Sequence, residues 1–164
     1  MTISSFLKKL FSSSGASVPT SQGADTEARV REKAALAVSR FQQRAQGRLD
    51  YSEQSLSAVE EMLAEASGHT GQMASGEVDA LVNLMGSYVL EVAHRQFGGI
   101  YQWYDAADKP VLVVGRPEFG VAIMPFDKIR GRLGGDEGDH IVFFYEGFAE
   151  RARTAAPGTD ALYL

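Results

Sequence analysis

The stretch from Glu77 to Tyr104 constrains the fold more than any other part of the chain. Val78, Leu81, Val82, Met85, Val89, Val92 and Phe97 recur there at helical spacing, which sets one apolar stripe of a helix against a core. Gly98-Gly99 then supplies the left-handed stop with which helices commonly end. Beyond it Ile100, Gln102 and Tyr104 alternate with Tyr101 and Trp103, the period of a strand. A long helix turning directly into the first strand of a sheet is the expected spine.

Helical spacing also predicts a helix from Thr26 to about Arg48, with Val30, Ala34, Ala37, Val38, Phe41 and Ala45 on its apolar side. Beside that stripe run Arg29, Lys33, Arg40, Arg44 and Arg48. Such a ridge either grips phosphates or pairs with acidic neighbours; without interleaved aromatics, pairing is the expectation. Asp50 and Glu53 have capping-box spacing and are expected to open a helix through Ala66. Leu56, Val59, Met62, Leu63 and Ala66 form its core face, which leaves Glu53, Glu60, Glu61 and Glu65 pointing to solvent. Ser67 to Gly76 is a glycine-rich connector carrying His69; it lacks the Gly-Lys-Ser/Thr ending of a phosphate loop.

After the spine, short apolar runs at Ile100–Tyr104, Val111–Gly115 and Phe119–Met124 suggest an antiparallel meander. Pro125 to Leu133 reads as a short helix stopped by Gly134-Gly135. Asp139 is expected to cap a last helix bearing Ile141, Phe144, Tyr145, Phe148 and Ala152. The fold class is therefore α+β: a helical N-terminal half, a small three-stranded antiparallel sheet and two C-terminal helices. One domain is expected over residues 25–156, followed by a tail at 157–164 whose Leu162, Tyr163 and Leu164 can fold back as a latch.

Residues 1–24 are expected to be a mobile leader. Ile3, Phe6, Leu7, Leu10 and Phe11 share one helical face, and a Ser/Gly-rich linker follows. Three uses fit that face: a weak foot on an anionic membrane surface, a docking helix for a partner, or a helix folded back on its own domain. Phe6, Leu7, Leu10 and Phe11 are the docking candidates. Residues 1–50 carry eight basic and four acidic side chains, whereas residues 51–164 carry eight and seventeen, giving +4 and −9 within a net charge of −5. An acidic body favours basic partners and disfavours nucleic acid.

The chain has no cysteine, which excludes disulfides, thiolate metal sites and thiol catalysis. No apolar run is long enough to cross a membrane. Glu91 and His94 have the Glu-x-x-His spacing that can place two ligands on one helical face, but a di-iron site needs the motif twice. Glu91 and Arg95 also make an i,i+4 ion pair, which accounts for the glutamate without metal. Tyr88, Tyr101, Trp103 and Tyr104 either line a ligand groove or fill a core. No nucleophile, base and acid set is legible, so neither a cofactor nor a catalytic residue is expected.

Gly86-Ser-Tyr-Val-Leu-Glu91, followed by Phe97-Gly98-Gly99 and Trp103, resembles the Gly-x-Tyr-x-Gly-Glu … Gly-Gly-x-Trp pattern of small uncharacterised bacterial domains of the DUF3806-like group. Pro125-Phe126 … Arg132-Leu133, with the acidic glycine-containing turn and aromatic helix after it, resembles that group's ending. The resemblance spans residues 50–150, with Leu90 where the pattern has its second glycine. It implies a bacterial α+β domain and no particular activity. The function expected is a cytoplasmic, non-enzymatic, protein-binding module of accessory or immunity type. One alternative is a small-ligand binder or enzyme using Tyr88, Glu91, His94, Tyr101 and Trp103. The other is a peripheral membrane protein touching the surface through residues 3–11.

Overall fold

A computed structural model describes residues 8–11 and 21–164. Helix α1 (Ser21–Phe41) buries Thr26, Val30, Ala34 and Ala37, roughly one residue per turn. It starts inside the expected linker and stops short of Arg48. The stop has a local cause. The Gln42 side chain bonds both backbone groups of Leu49, with its amide donating to the carbonyl at 3.2 Å and its oxygen accepting the N–H at 2.9 Å. Gln46 and Gly47 take positive φ to close that turn.

Helix α2 (Leu56–Ser67) follows a 3-10 turn at Glu53–Ser55. Ser52 caps that turn, accepting the Ser55 N–H at 3.2 Å, while Asp50 accepts from the amide and hydroxyl of Ser52. The expected Asp50/Glu53 capping box is thus replaced by a serine cap that Asp50 holds in place.

Helix α3 (Ser75–Phe97) is the spine, and Glu77 accepts the N–H of its cap residue Ala74 at 2.8 Å. From Leu84 to Ala93 every residue is buried, so its middle is packed on all sides and not along one stripe. Helix α1 lies along it. The Gly98-Gly99 stop forms as expected, with φ of +67° and +109°. A Cβ on Gly99 would stand 2.5 Å from the Val113 carbonyl, so only glycine lets the chain enter the sheet there.

The sheet runs in the order β1 (Ile100–Tyr104), β2 (Lys109–Val114), β3 (Gly120–Ile123), β4 (Asp160–Tyr163). The first three strands form the antiparallel meander, with Ile100 opposite Val113 and Leu112 opposite Ile123. The fourth corrects the expectation. Asp160–Tyr163 pairs parallel to Gly120–Ile123, so the sheet is four-stranded and mixed, and the expected tail belongs to the domain. Residues 110–114 and 120–124 are buried without alternation, as strands covered on both faces must be. Helix α1 packs on β1, α3 on β2 and α5 (Ile141–Thr154) on β3, while α4 (Phe126–Leu133) packs against α2 and α3.

Residues 8–11 are helical and not a free leader: Leu10 is only 1% exposed and joins the core. Phe11 occupies the space over β3 that the missing side chain of Gly120 leaves open, and the Arg116 guanidinium stands 5.0 Å over its ring. Phe6 and Leu7 lie outside the described residues.

Candidate functional site

The five side chains expected to converge do not form one site. Tyr88 is fully buried and serves as an anchor: its hydroxyl accepts the Tyr51 N–H at 3.0 Å and donates to Ser55 Oγ at 2.7 Å. Tyr101 is buried beneath α3 and donates to the Leu90 carbonyl at 3.2 Å. His94 is half-buried, tilted against the Tyr101 ring at 5.1 Å. Glu91 is only 3% exposed; its Oε1 accepts from Arg95 Nε at 2.8 Å and its Oε2 has no partner. Arg95 also sits 3.7 Å over the Tyr51 ring, which stacks on Tyr88 at 5.1 Å. Arg95, Tyr51 and Tyr88 thereby close this region from solvent. Trp103 lies elsewhere, half-buried in a cleft with Arg29, Lys33 and Lys109.

Among the described residues, no group of three or more His, Cys, Asp or Glu side chains is placed to hold a metal ion. Glu91 and His94 therefore stand as an ion-paired core carboxylate and a ring packed on tyrosine.

Sequence reasoning missed a buried polar node. Glu60 is only 7% exposed rather than solvent-facing. Its Oε1 accepts from Arg132 Nε at 2.6 Å and its Oε2 accepts the Ile141 N–H at 2.9 Å. It supplies the cap expected from Asp139, which instead pairs with Lys128 at 2.9 Å. His140 stands 3.7 Å from the same carboxylate and stacks at 4.3 Å on Phe143. Arg132 was legible only as a basic residue in a short helix, and nothing local marked Glu60 as its partner.

The same helix pair frames a cleft of about 410 Å³, lined from the α2 side by Glu53, Gln54, Leu56 and Ser57. From α5 come Val142, Tyr145, Glu146, Ala149 and Arg153. Arg153 donates to both oxygens of Glu53 at 2.7 Å. Tyr145 is only 2% exposed, and its hydroxyl has no well-formed hydrogen bond, although the Glu53 carboxylate is close enough to act on it. Burial first, then the nearby Glu53 carboxylate, raises its pKa strongly, so the phenol stays neutral. Phe143, one helical turn before Glu146, is 70% exposed.

The expected basic ridge divides in two. Arg44 pairs with Glu65 at 2.6 Å and Arg48 with Glu61, while Arg29, Lys33 and Arg40 have no ion pair among the described residues. No helix among the described residues is long and apolar enough to cross a membrane.

No family model, curated protein or solved structure matches the chain. The DUF3806-like resemblance rests on its own motif residues. Two of these now have a physical role: Gly86 lets the Phe126 ring lie directly on α3, and Gly99 admits the chain to β1 close against β2.

Proposed function

We propose that the protein is a non-enzymatic protein-binding module, of accessory or immunity type, whose contact face is the α2/α5 cleft with Phe143 beside it. The observation that carries this is Phe143, a large aromatic side chain held in water by its stack on His140. Leaving such a ring uncovered forgoes about 1.5–3 kcal/mol of burial, which a partner can recover. The adjoining cleft offers an apolar floor of Leu56, Val142 and Ala149. Glu146 at its edge and Glu150 one turn on are exposed carboxylates without an ion pair among the described residues. The fitting partner is a protein segment presenting an apolar anchor flanked by lysine or arginine.

Affinity capture with the full chain, comparing wild type, Phe143→Ala, Glu146→Lys and Leu36→Ala, tests the reading. Leu36 is the control, an exposed apolar residue on α1. The expected outcome is one partner held by wild type and L36A and lost by F143A and E146K. Retention by F143A, or turnover of a small substrate with no protein partner, overturns it.

The membrane alternative loses part of its face, because Leu10 lies inside the core. The Glu91/His94 alternative lacks an open carboxylate, because Arg95 and the tyrosines enclose it.

A further inference from the structure

We infer a second, independent site, a small phosphate-binding cleft between α1 and the β1–β2 hairpin. The cleft holds about 150 Å³ and is lined by Arg29, Lys33, Trp103 and Lys109, with Asn83 and Asp108 among its polar walls. That is room for several waters, or for one tetrahedral oxyanion and its ester oxygen.

The unsatisfied chemistry there is almost all donor. Arg29 and Lys33, one turn apart on α1, have no ion pair among the described residues, and residues 1–7 and 12–20 contain no carboxylate that could supply one. Lys109 Nζ spends one hydrogen bond on Asn83 Oδ1 at 2.7 Å and has two left. Three cations face one carboxylate, that of Asp108, in a chain whose net charge is −5. Arg29 and Lys33 reach this cleft, whereas Arg44 and Arg48, further along the ridge, are neutralised by Glu65 and Glu61. Donors converging from two elements suit an oxyanion that accepts on several sides, which favours phosphate over a flat carboxylate.

A second cleft of about 470 Å³ shares Asn83, Asp108, Lys109 and Phe126 with the first and adds Asp79, Asp127 and Arg130. It suits a polar remainder carrying hydroxyl or amino groups. The ligand class is a phosphate monoester of a small polar alcohol or amino alcohol.

Trp103 is the chain's single tryptophan and lines the cleft, so its fluorescence reports occupancy directly. The full chain is titrated with inorganic phosphate and with phosphoethanolamine at constant ionic strength, with chloride as the control. A further arm uses phosphatidylethanolamine vesicles, which present the same amino alcohol on a lipid phosphodiester. The expected result is a saturable change with both soluble phosphates and none with chloride. Arg29→Gln/Lys33→Gln should weaken it about tenfold or more, because each charge-assisted bond contributes on that scale. Both residues are exposed, and a circular dichroism spectrum matching wild type shows the variant folded. An emission change that chloride reproduces, unchanged affinity in the folded double variant, or a response to vesicles alone overturns the assignment.

Discussion

The Glu60 carboxylate caps a helix that begins 81 residues further along the chain, accepting the Ile141 N–H at 2.9 Å. The same carboxylate accepts from Arg132 at 2.6 Å, so α2, α4 and the start of α5 meet on one side chain. Glu60→Ala leaves a guanidinium that is mostly buried without its partner and an amide without its acceptor, a loss of about 3–5 kcal/mol. Glu60→Gln keeps an acceptor and should cost about 1–2 kcal/mol. Urea unfolding midpoints at constant slope distinguish the two; equal losses would mean that Glu60 acts through its volume alone.

Glu91 and Arg95 form a pair whose members differ in exposure: the carboxylate is buried and the guanidinium is half in solvent. Removing Arg95 strands a buried charge, whereas removing Glu91 frees a group that water can reach. Arg95→Met should therefore cost more than Glu91→Met, about 1–3 kcal/mol after allowing for screening on the arginine side. The E91M/R95M double variant should recover most of it, as apolar replacements of buried pairs commonly do. A larger loss in E91M than in R95M would return Glu91 to the list of functional candidates.

How much of this was legible in sequence depended on range. The α3–β1 spine, its glycine stop, the three-strand meander and α4 follow from periodicity and local stops, so they are read at nearly the right bounds. What failed was non-local. Asp50 and Asp139 sit where caps are expected, yet Ser52 and the distant Glu60 make those bonds. The glutamates of α2 read as one solvent face, because nothing near Glu60 announces Arg132. Nothing local marks Asp160–Tyr163 as a strand, and only the open edge of β3 makes it one. The candidate site residues Tyr88, Glu91, His94, Tyr101 and Trp103 are grouped by residue type and helical spacing, which carry no information on burial. That grouping could not separate the enclosed Tyr88, Glu91 and Tyr101 from the tryptophan at a cleft.

Gly86 is the contact point between α3 and the Phe126 ring: a Cβ there would overlap the ring's Cδ1 and Cε1. Both surfaces are buried, and the ring can move aside only toward the clefts it lines. Alanine gains about 1 kcal/mol of helix propensity and meets an overpacking cost of about 1–3 kcal/mol or more. Gly86→Ala should therefore be destabilised on balance by thermal unfolding. Phe126→Leu should relieve it, leaving G86A/F126L above the sum of the single changes. Simple additivity would mean that the contact is not what the glycine serves.

Tyrosine ionisation gives the fold a defined alkaline limit. Burial raises the pKa of Tyr88, Tyr101 and Tyr145 above 10.0; the Glu91 carboxylate adds to the rise at Tyr101 and the Glu53 carboxylate at Tyr145. A raised folded pKa means the native state keeps protons that the unfolded chain has released. The stabilising contribution is thus complete below about pH 10 and declines as pH rises toward the folded values. Phenolate absorbance of the native protein should lag that of the urea-unfolded chain, and urea stability should fall across the same interval. Tyr145→Phe should reduce both effects and leave neutral-pH stability equal or higher, since its buried hydroxyl has no well-formed hydrogen bond. Tyr101→Phe should also reduce them, but at a cost of about 0.5–1.5 kcal/mol at neutral pH for its lost bond to the Leu90 carbonyl. Destabilisation of Tyr145→Phe at neutral pH would show instead that its hydroxyl donates to Glu53.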